Sequence, residues 1–352
     1  MTRCDQITTL WKACFQDTEE FIRFYFDRKY KDEDSLLYTE NSIPLAASLM
    51  LPYSMAWQNT IVRTSYISGA CTHPQARKRG IMTRLLQEGF QEMYNRGIAF
   101  TTLIPAEKWL YDFYARLGYA TVFHRHTIQY TPSPIRQENE CTVKIISHWD
   151  STVISTTYSY FTRHMHSHPC HVIHSFDDYQ DILTDLHMSN GCLAIAYSHA
   201  IPEQITGFAL ALPENDKITI KEIATDTPNI RNTLLDTLFA YCKLPIPSYP
   251  VLSPAPLPAK THYHSQPFGM ARIICLRPLL EHLAAQHPHL NLTFHVIDPI
   301  LPGNQGTYIL SQGHCEKTNT PAHQTELTAI LTLTKYLLEY GNVQPHMSLM
   351  LE

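Results

Sequence analysis

The chain has 352 residues, which is enough length for two or three domains with substantial cores. Hydrophobic residues make up 44% and charged residues 17%, and the net charge is −5, so the composition is globular and gives no electrostatic basis for nucleic-acid binding. No apolar run reaches the roughly 18 residues of a membrane span. The nine scattered cysteines lack C-x-x-C pairs and favour free thiols, so the sequence predicts a cytoplasmic protein without nucleic-acid or membrane partners.

The first 60 residues predict a helical segment followed by a hairpin. Residues 6–30 carry apolar side chains at helical spacing, and a second helix start, at residues 17–20, lies inside that range. Residues 35–39 and 43–51 are apolar, strand-like runs on either side of a short polar turn. The predicted helical segment and hairpin therefore come before the stretch that contains the candidate functional residues.

A strand, a basic turn containing a glycine, and a helix follow one another next. Arg77, Lys78 and Arg79 precede Gly80, and apolar residues recur at helical spacing from Ile81. The first N–H groups of a helix have no partner within it and lie at the positive end of its dipole, so they bind anions. Glycine allows close approach of the backbone, and the basic side chains add charge. The stretch predicts a phosphate site; the alternative is a solvated basic turn.

This stretch resembles the R/Q-x-x-G-x-G/A motif of GNAT N-acetyltransferases, which binds the pyrophosphate of acetyl-CoA. Arg77 takes the first motif position and Gly80 the central one, whereas Met82 departs from the small third residue. With a larger residue at the third motif position, the sequence resembles the enhanced-intracellular-survival (Eis) group of that family. The resemblance implies a set of acetyl-CoA-binding residues: Ala70, Cys71, Thr72, Arg77, Lys78, Arg79, Gly80, Ile81, Met82 and Thr83.

The next elements predict a second family segment. Residues 98–104 favour a buried strand, 106–117 an amphipathic helix and 119–130 another strand. Residues 113–119 resemble the family segment in which a tyrosine stands beside the cofactor sulfur. The resemblance implies that Tyr114 is the general acid, because a phenol with a pKa near 10 is protonated at neutral pH. The alternative is an ordinary aromatic residue on the core face of the helix.

Residues 140–245 repeat this α/β character. Three strands are predicted at 191–198, 205–212 and 218–225, and a helix follows them. This resembles the second acetyltransferase-like fold of the Eis group. The segment between the last strand and the helix has no R-x-x-G sequence, so the resemblance implies a fold without a cofactor site.

The last part of the chain predicts strands and two helices. Residues 270–283 favour a strand leading into a helix, 291–298 and 306–312 favour strands, and about 325–340 favour a helix. This order resembles the sterol-carrier-protein-like C-terminal domain of the Eis group. A proline-rich stretch at 244–268 predicts the boundary before it.

These segments predict an α/β chain with tandem GNAT folds, mixed central sheets and a C-terminal sterol-carrier-protein-like domain. Residues 1–131 are the expected acetyl-CoA-binding catalytic domain, and residues 132–265 the second GNAT-like domain. Residues 266–352 are the expected third domain, whose C-terminal tail reaches the active site.

The first domain shows no evident base. Glu107 lies at a helix start, where a glutamate usually complements the helix dipole. The Eis group uses the α-carboxylate of its own C-terminus, so the resemblance implies Glu352 as a catalytic residue. The tail after Gly341 is apolar near its end and spans roughly 36 Å when extended. The base could be either the α-carboxylate or the side chain of Glu352, and the sequence does not choose between them. The alternative is that the tail docks only for stability and supplies no base.

Five histidines and one cysteine crowd a short stretch of the second region: His164, His166, His168, Cys170, His171 and His174. Strand alternation would place three imidazoles on one face, an arrangement that suits Zn²⁺. The family resemblance requires no metal, and we predict none.

The sequence thus predicts an acyltransferase that moves acetyl directly from acetyl-CoA to a primary amine through a ternary complex. No acetyl-enzyme is expected, because Cys71 lies on the cofactor strand rather than beside a base. The amine stays open among aminoglycosides, polyamines, peptide lysines and small metabolites, and a homo-oligomer is compatible with the sequence. The alternative function is a non-catalytic CoA- or lipid-binding protein.

Overall fold

The protein has a mixed α/β fold, as the sequence predicts. The computed structural model describes residues 1–131, 140–146, 148–214, 218–242, 249–253, 263–318 and 326–351. Contacts within the chain divide it into two units. The first comprises Met1–Val122 and Gly269–Gln344, and the second Phe123–Phe268 and Pro345–Glu352.

Two helices open the first unit, α1 (Arg3–Cys14) and α2 (Glu19–Lys29). The hydroxyl of Thr18 accepts a hydrogen bond from the Phe21 N–H at 3.2 Å and so caps α2. The prediction of one helical segment over residues 6–30 was therefore wrong. The helix start inside that range begins a second, separate helix.

The main sheet of the first unit begins with an antiparallel meander. Its strands are β1 (Ser35–Glu40), β2 (Ile43–Trp57) and β3 (Thr60–Thr72). Two helix–strand pairs follow: α3 (Ile81–Asn95), β4 (Phe100–Leu103), α4 (Lys108–Ala115) and β5 (Ala120–Tyr130). Because β4 runs parallel to β3, α3 forms the crossover between them.

The second unit contains a similar meander and crossover helix. Its elements are β6 (Cys141–Ile146), α5 (Ser151–Met165), β7 (His171–Ile173), α6 (Phe176–Met188), β8 (Cys192–Ser198), β9 (Ile205–Pro213), β10 (Ile218–Thr225), α7 (Pro228–Cys242) and β11 (Tyr249–Ser253). The strands β8, β9 and β10 form an antiparallel meander, and α7 leads to β11, which is parallel to β10. Meander, crossover helix and parallel strand therefore occur twice in the chain.

The chain then returns to the first unit at Gly269, within the next strand. The remaining elements are β12 (Tyr263–Ile273), α8 (Leu276–Gln286), β13 (Leu292–Ile297), β14 (Gly306–Ser311), β15 (His314–Thr318), β16 (Glu326–Ala329) and α9 (Ile330–Leu338). Residues 270–273 of β12 pair antiparallel with β4. The other four strands form a separate sheet in the order β15-β14-β13-β16. The helix predicted from about residue 325 was wrong at its start, because residues 326–329 pair with β13 and the helix begins at Ile330.

The division into three domains, with a sterol-carrier-protein-like third domain, stays a prediction. Most of the proline-rich segment at 244–268 lies outside the described residues. In the described part of the chain, none of the helices combines the length and apolar character needed to span a bilayer.

Candidate functional site

A β-bulge interrupts β3 shortly before its end. The register of the β2–β3 pair shifts here, so that Gly69 and Ala70 oppose the single residue Ser48. Gly69 has a φ of 59°, and a Cβ at this position would lie 2.1 Å from the ring of Trp11, so only glycine fits. A bulge takes one residue out of the ladder, and the backbone groups at this point can therefore pair with a ligand.

The turn between β3 and α3 has an open, left-handed geometry. After the short 3₁₀ turn Pro74–Ala76, Lys78 has a φ of 64° and Gly80 a φ of 74°. Gly80 is the N-cap residue of α3, and a Cβ placed on it would meet nothing within 4 Å. The first bond inside the helix runs from the Arg84 N–H to the Gly80 carbonyl at 3.2 Å. The N–H groups of the first turn are therefore open to an external anion.

The equivalent helix start in the second unit differs. The hydroxyl of Thr227 accepts a hydrogen bond from the Ile230 N–H at 3.3 Å, so a side chain of the chain itself caps α7. Gly80 has no side chain that could do this at α3. The N-terminus of α3, unlike that of α7, thus has the form of a ligand site.

The three basic residues of the turn are not equivalent. Arg77 donates from Nε to the carbonyl oxygen of Thr72 at 3.3 Å, which places its guanidinium at the end of β3. Arg79 donates from Nη2 to both carboxylate oxygens of Glu40, at 2.6 and 2.8 Å. This partner raises the pKa of Arg79, so an anion at the turn must compete with Glu40 for its side chain.

A pair of cysteines lies beside the turn. Cys71 is buried on β3, and Cys14 donates from Sγ to the Thr72 carbonyl at 3.4 Å. The hydrogen bond with Cys71, together with the nearby Arg77, lowers the pKa of Cys14 to about 7. Sequence reasoning missed Cys14, because only the fold brings the end of α1 to the end of β3.

Tyr114 lies on α4 and packs into the core of the first unit. It is 6% exposed and shares a hydrophobic cluster with Ile67 of β3. Its ring lies 5.1 Å from that of Phe113 and 5.6 Å from that of Tyr119, between ring centroids. Burial raises the pKa of Tyr114 to about 12, so the phenol keeps its proton at neutral pH. Tyr114 is therefore an aromatic residue of the core and also a group that can donate a proton.

The two candidate carboxylates are placed differently. Glu107 is exposed at the start of α4 and accepts a hydrogen bond from Trp109 Nε1 at 2.7 Å. Glu352 lies outside the described residues. The residues before it are buried in succession, from Met347 to Leu351, each at most 5% exposed.

The second unit holds a buried polar group that sequence reasoning missed. Glu222 is fully buried on β10 and bonds to His346 and Ser348 of the tail. Burial alone raises the pKa of this carboxyl. The charge and hydrogen bond of His346 and the hydroxyl of Ser348 outweigh it and lower the pKa to about 2. No local sequence signal marks this contact, since 124 residues separate Glu222 from His346.

The histidine-rich stretch is not one strand, so the strand alternation considered for it was wrong. His164 lies near the end of α5, whereas His171 begins β7. One ring of the stretch stacks on a histidine of the tail, with 4.5 Å between the centroids of His168 and His346. Burial lowers the pKa of His168 to about 4. Among the described residues, no three His, Cys, Asp or Glu side chains are grouped to hold a metal ion.

Residues 2–122 match the acetyltransferase (GNAT) domain family. This range contains the bulge, the turn, the N-terminus of α3 and Tyr114. No curated protein sequence matches the chain.

Several solved structures share the fold over almost the whole chain. A conserved protein of unknown function from Enterococcus faecalis, described as a probable N-acyltransferase, aligns with a TM-score of 0.75 at 16% identity, covering 98% of this chain and 96% of that one. A GCN5-related N-acetyltransferase from Anabaena variabilis aligns with a TM-score of 0.72 at 16% identity, covering 95% and 87%. Eis1 from Mycobacterium abscessus aligns with a TM-score of 0.67 at 12% identity, covering 96% and 88%. The chain therefore carries a GNAT acetyltransferase domain at residues 2–122 and shares its overall fold with these proteins.

Proposed function

We propose that the protein is an N-acetyltransferase that moves acetyl from acetyl-CoA to a primary amine through a ternary complex. One observation carries the proposal: a bulged strand leads through a left-handed glycine turn into an uncapped helix N-terminus, inside the range that matches the GNAT domain. This arrangement offers both a backbone edge for an extended chain and an anion site for a pyrophosphate.

The donor would be held along β3 and at the start of α3. The pyrophosphate meets the N–H groups of Ile81, Met82 and Thr83, with charge from Arg77 and Lys78. Arg79 contributes through its backbone, because Glu40 binds its side chain.

The backbone of residues 70–72 would bind the pantetheine arm and face the acetyl oxygen. Gly80 keeps the approach to the turn open, since no atom lies within 4 Å of the position of its missing Cβ. These assignments give the backbone of β3, the basic residues of the turn and the start of α3 separate parts in holding the donor.

The transfer step needs an acid and a base. The amine nitrogen attacks the thioester carbonyl carbon, and the C–S bond breaks as the carbonyl re-forms. Tyr114 gives its proton to the departing thiolate, and burial keeps that proton in place by raising the pKa to about 12. The ammonium nitrogen loses two protons in all and the sulfur gains one, so the reaction releases one proton.

We assign the base to Glu352, through its α-carboxylate or its side chain. The support is the tail before it, which is buried from Met347 to Leu351. Burial raises the pKa of a carboxyl group and makes it a better base. Glu107 is the alternative base, although its carboxylate is exposed and bonded to Trp109.

The same proposal divides the chain into catalytic, structural and tail-bearing parts, at residues 1–131, 132–265 and 266–352. The second part would bind no donor, since Thr227 caps its equivalent helix. A small-molecule or peptide amine would be the acceptor, and no metal would take part.

A thiol-release assay tests the proposal. The protein is incubated with acetyl-CoA and a panel of aminoglycosides, polyamines, lysine peptides and small amines. We expect at least one amine to raise CoA release above hydrolysis and to gain an acetyl group by mass spectrometry. Binding of acetyl-CoA without transfer to any amine would instead favour the alternative, a non-catalytic CoA- or lipid-binding protein.

A further inference from the structure

Two cysteines of the first unit meet beside the turn that precedes α3. Cys14 is the last residue of α1 and is partly exposed, whereas Cys71 is buried on β3. The two side chains share a hydrogen bond, and Cys14 Sγ also lies 3.4 Å from the carbonyl oxygen of Thr72. The fold therefore places an accessible thiol directly against an enclosed one.

The surroundings of Cys14 favour its thiolate. The hydrogen bond with Cys71 contributes most to lowering the pKa of Cys14 to about 7, and partial burial opposes it. Arg77 adds positive charge nearby, which lowers the pKa further. Part of Cys14 is therefore thiolate at neutral pH, and the thiolate is the reactive form of a cysteine.

The other cysteines have the opposite character. All nine cysteines lie in the described ranges, and burial raises the pKa of the seven outside this pair. The pKa of Cys71 is also raised, chiefly by its hydrogen bond with Cys14. An oxidant reacts with exposed thiolates, so it should react with Cys14 first. Cys71, protonated and in contact with Cys14, has the position of a resolving thiol.

We propose that Cys14 and Cys71 form a redox modification site, in which a hydroperoxide oxidises the pair to a reversible disulfide and so weakens acetyl-CoA binding. The formation of the disulfide depends only on the two thiols and their contacts. Its effect on the donor rests on the proposed function, in which β3 and the turn before α3 hold acetyl-CoA.

The oxidation proceeds in two balanced steps. The Cys14 thiolate attacks a peroxide oxygen, so that an S–O bond forms and the O–O bond breaks. The departing oxygen takes up a proton and leaves as water or an alcohol. The thiol of Cys71 then attacks the Cys14 sulfur, the S–S bond forms, and the hydroxyl leaves with the Cys71 proton as water. The two sulfur atoms have then given two electrons to the peroxide.

The packing of α1 connects this disulfide to the backbone of β3. A covalent S–S bond brings the two sulfur atoms closer together than a hydrogen bond does. The ring of Trp11, three residues before Cys14, fills the space over Gly69, where a Cβ would lie 2.1 Å from it. Because α1 already touches the bulge, it cannot approach β3 freely, and the strand must shift instead. The shift falls on residues 70–72, the backbone proposed to bind the pantetheine arm.

The disulfide also changes the contacts of the Thr72 carbonyl. This oxygen accepts from Cys14 Sγ at 3.4 Å and from Arg77 Nε at 3.3 Å. A disulfide has no S–H group, so the first of these hydrogen bonds is lost on oxidation. The carbonyl that positions Arg77 therefore loses a partner and moves with the strand. Oxidation thus affects both the strand and the first basic residue of the turn.

Peptide mapping tests the disulfide directly. The full-length protein is reduced, freed of reductant, treated with hydrogen peroxide, alkylated and digested with trypsin. Cys14 and Cys71 fall in separate tryptic peptides, residues 13–23 and 64–77, and Cys4 falls in a third, residues 4–12. We expect peptides 13–23 and 64–77 to be linked, and a thiol reductant to separate them. Oxidation of Cys14 without this link, or oxidation of Cys4 before Cys14, would overturn the proposal.

A calorimetric titration tests the consequence for the donor. Kd for acetyl-CoA should rise by at least about tenfold on oxidation, because the charge-assisted contact of Arg77 is weakened, and reductant should restore it. Cys14→Ser keeps a hydrogen-bond donor near Thr72 but cannot form the disulfide, so peroxide should leave its Kd unchanged. Cys4→Ser removes another partly exposed thiol of α1 and should respond to peroxide as the wild type does. A linked protein with an unchanged Kd would contradict the regulatory effect.

The reduced wild-type protein separates this inference from the proposed function. If the reduced protein binds acetyl-CoA but no linked peptide forms under peroxide, the inference fails alone. If the reduced protein does not bind acetyl-CoA, the donor site is wrong and the effect on binding fails with it. A linked peptide would then still establish Cys14 and Cys71 as a redox pair. Peptide mapping of the wild type needs no substitution, so it decides the matter even if Cys14→Ser does not fold.

Discussion

Arg272 donates a hydrogen bond from Nη2 to Oδ1 of Asp298 at 2.7 Å, and both side chains are fully buried. The Nε of the same guanidinium donates to the carbonyl oxygen of Leu117 at 2.7 Å, directly after the helix that carries Tyr114. Asp298 also accepts from the side-chain amide of Asn304 at 2.9 Å. The pair thus connects the late part of the chain to the end of the α4 segment within the first unit.

Breaking this pair should cost much of the stability of the first unit. Asp298→Ala leaves a buried guanidinium without its carboxylate, which costs about 3–5 kcal/mol. Urea unfolding should show this loss. Arg277→Ala, which breaks the exposed pair with Glu281, should cost less than about 0.5 kcal/mol. An Asp298→Ala protein as stable as the wild type would show that the pair contributes nothing.

Tyr114→Phe should separate catalysis from packing. The ring stays in the core and only the hydroxyl is lost, so kcat should fall by about 10²-fold while acetyl-CoA still binds. Tyr111→Phe removes a hydroxyl from the same helix and serves as the control, with kcat unchanged. If Tyr114→Phe turns over at the wild-type rate, Tyr114 contributes to packing alone and not to catalysis.

The pH profile provides a second check on Tyr114. Burial raises its pKa from 10.0 to about 12, so the proton donor is lost only as the pH approaches that value. The rate of transfer should therefore show no alkaline decline due to Tyr114 below about pH 11. A decline with a pKa near 10 that disappears in Tyr114→Phe would contradict this.

Local patterns explain why the first 130 residues could be predicted well. The glycine turn and the amphipathic helix carrying Tyr114 depend on neighbouring residues, so their periodicity and turn chemistry are visible in the sequence. The range that matches the GNAT family, residues 2–122, lies within this part of the chain.

Contacts between distant residues could not be predicted. The sequence predicts that Arg79 adds charge at the phosphate site, and it gives no sign that the fold brings Glu40 to this side chain from 39 residues away. Glu222 and the tail meet only through the fold, and the strand at residues 326–329 forms only because β13 pairs with it. Such pairings override local propensity, which had favoured helix there.

The chain end should be sensitive to position rather than to side chain. If the α-carboxylate of Glu352 is the base, adding residues after it or deleting the last two should abolish turnover without unfolding. Glu352→Gln should then be tolerated, since it keeps the terminal carboxylate. If the side chain is the base, the outcome for that substitution reverses.

Steady-state kinetics and a melting curve on each variant check this prediction. Glu107→Gln is the matched control, because it removes the other candidate carboxylate. Full activity of an enzyme with a C-terminal extension, together with loss of activity in Glu107→Gln, would move the base to the first domain.

The most direct test of the central claim is a calorimetric titration of the protein with acetyl-CoA. Arg77→Ala with Lys78→Ala removes two cations from the turn before α3, so Kd should rise by at least about tenfold as charge-assisted phosphate contacts are lost. Lys12→Ala with Arg277→Ala removes two exposed, paired cations elsewhere and should leave Kd unchanged. An equal Kd for the wild type and the Arg77/Lys78 variant would show that acetyl-CoA does not bind at this turn.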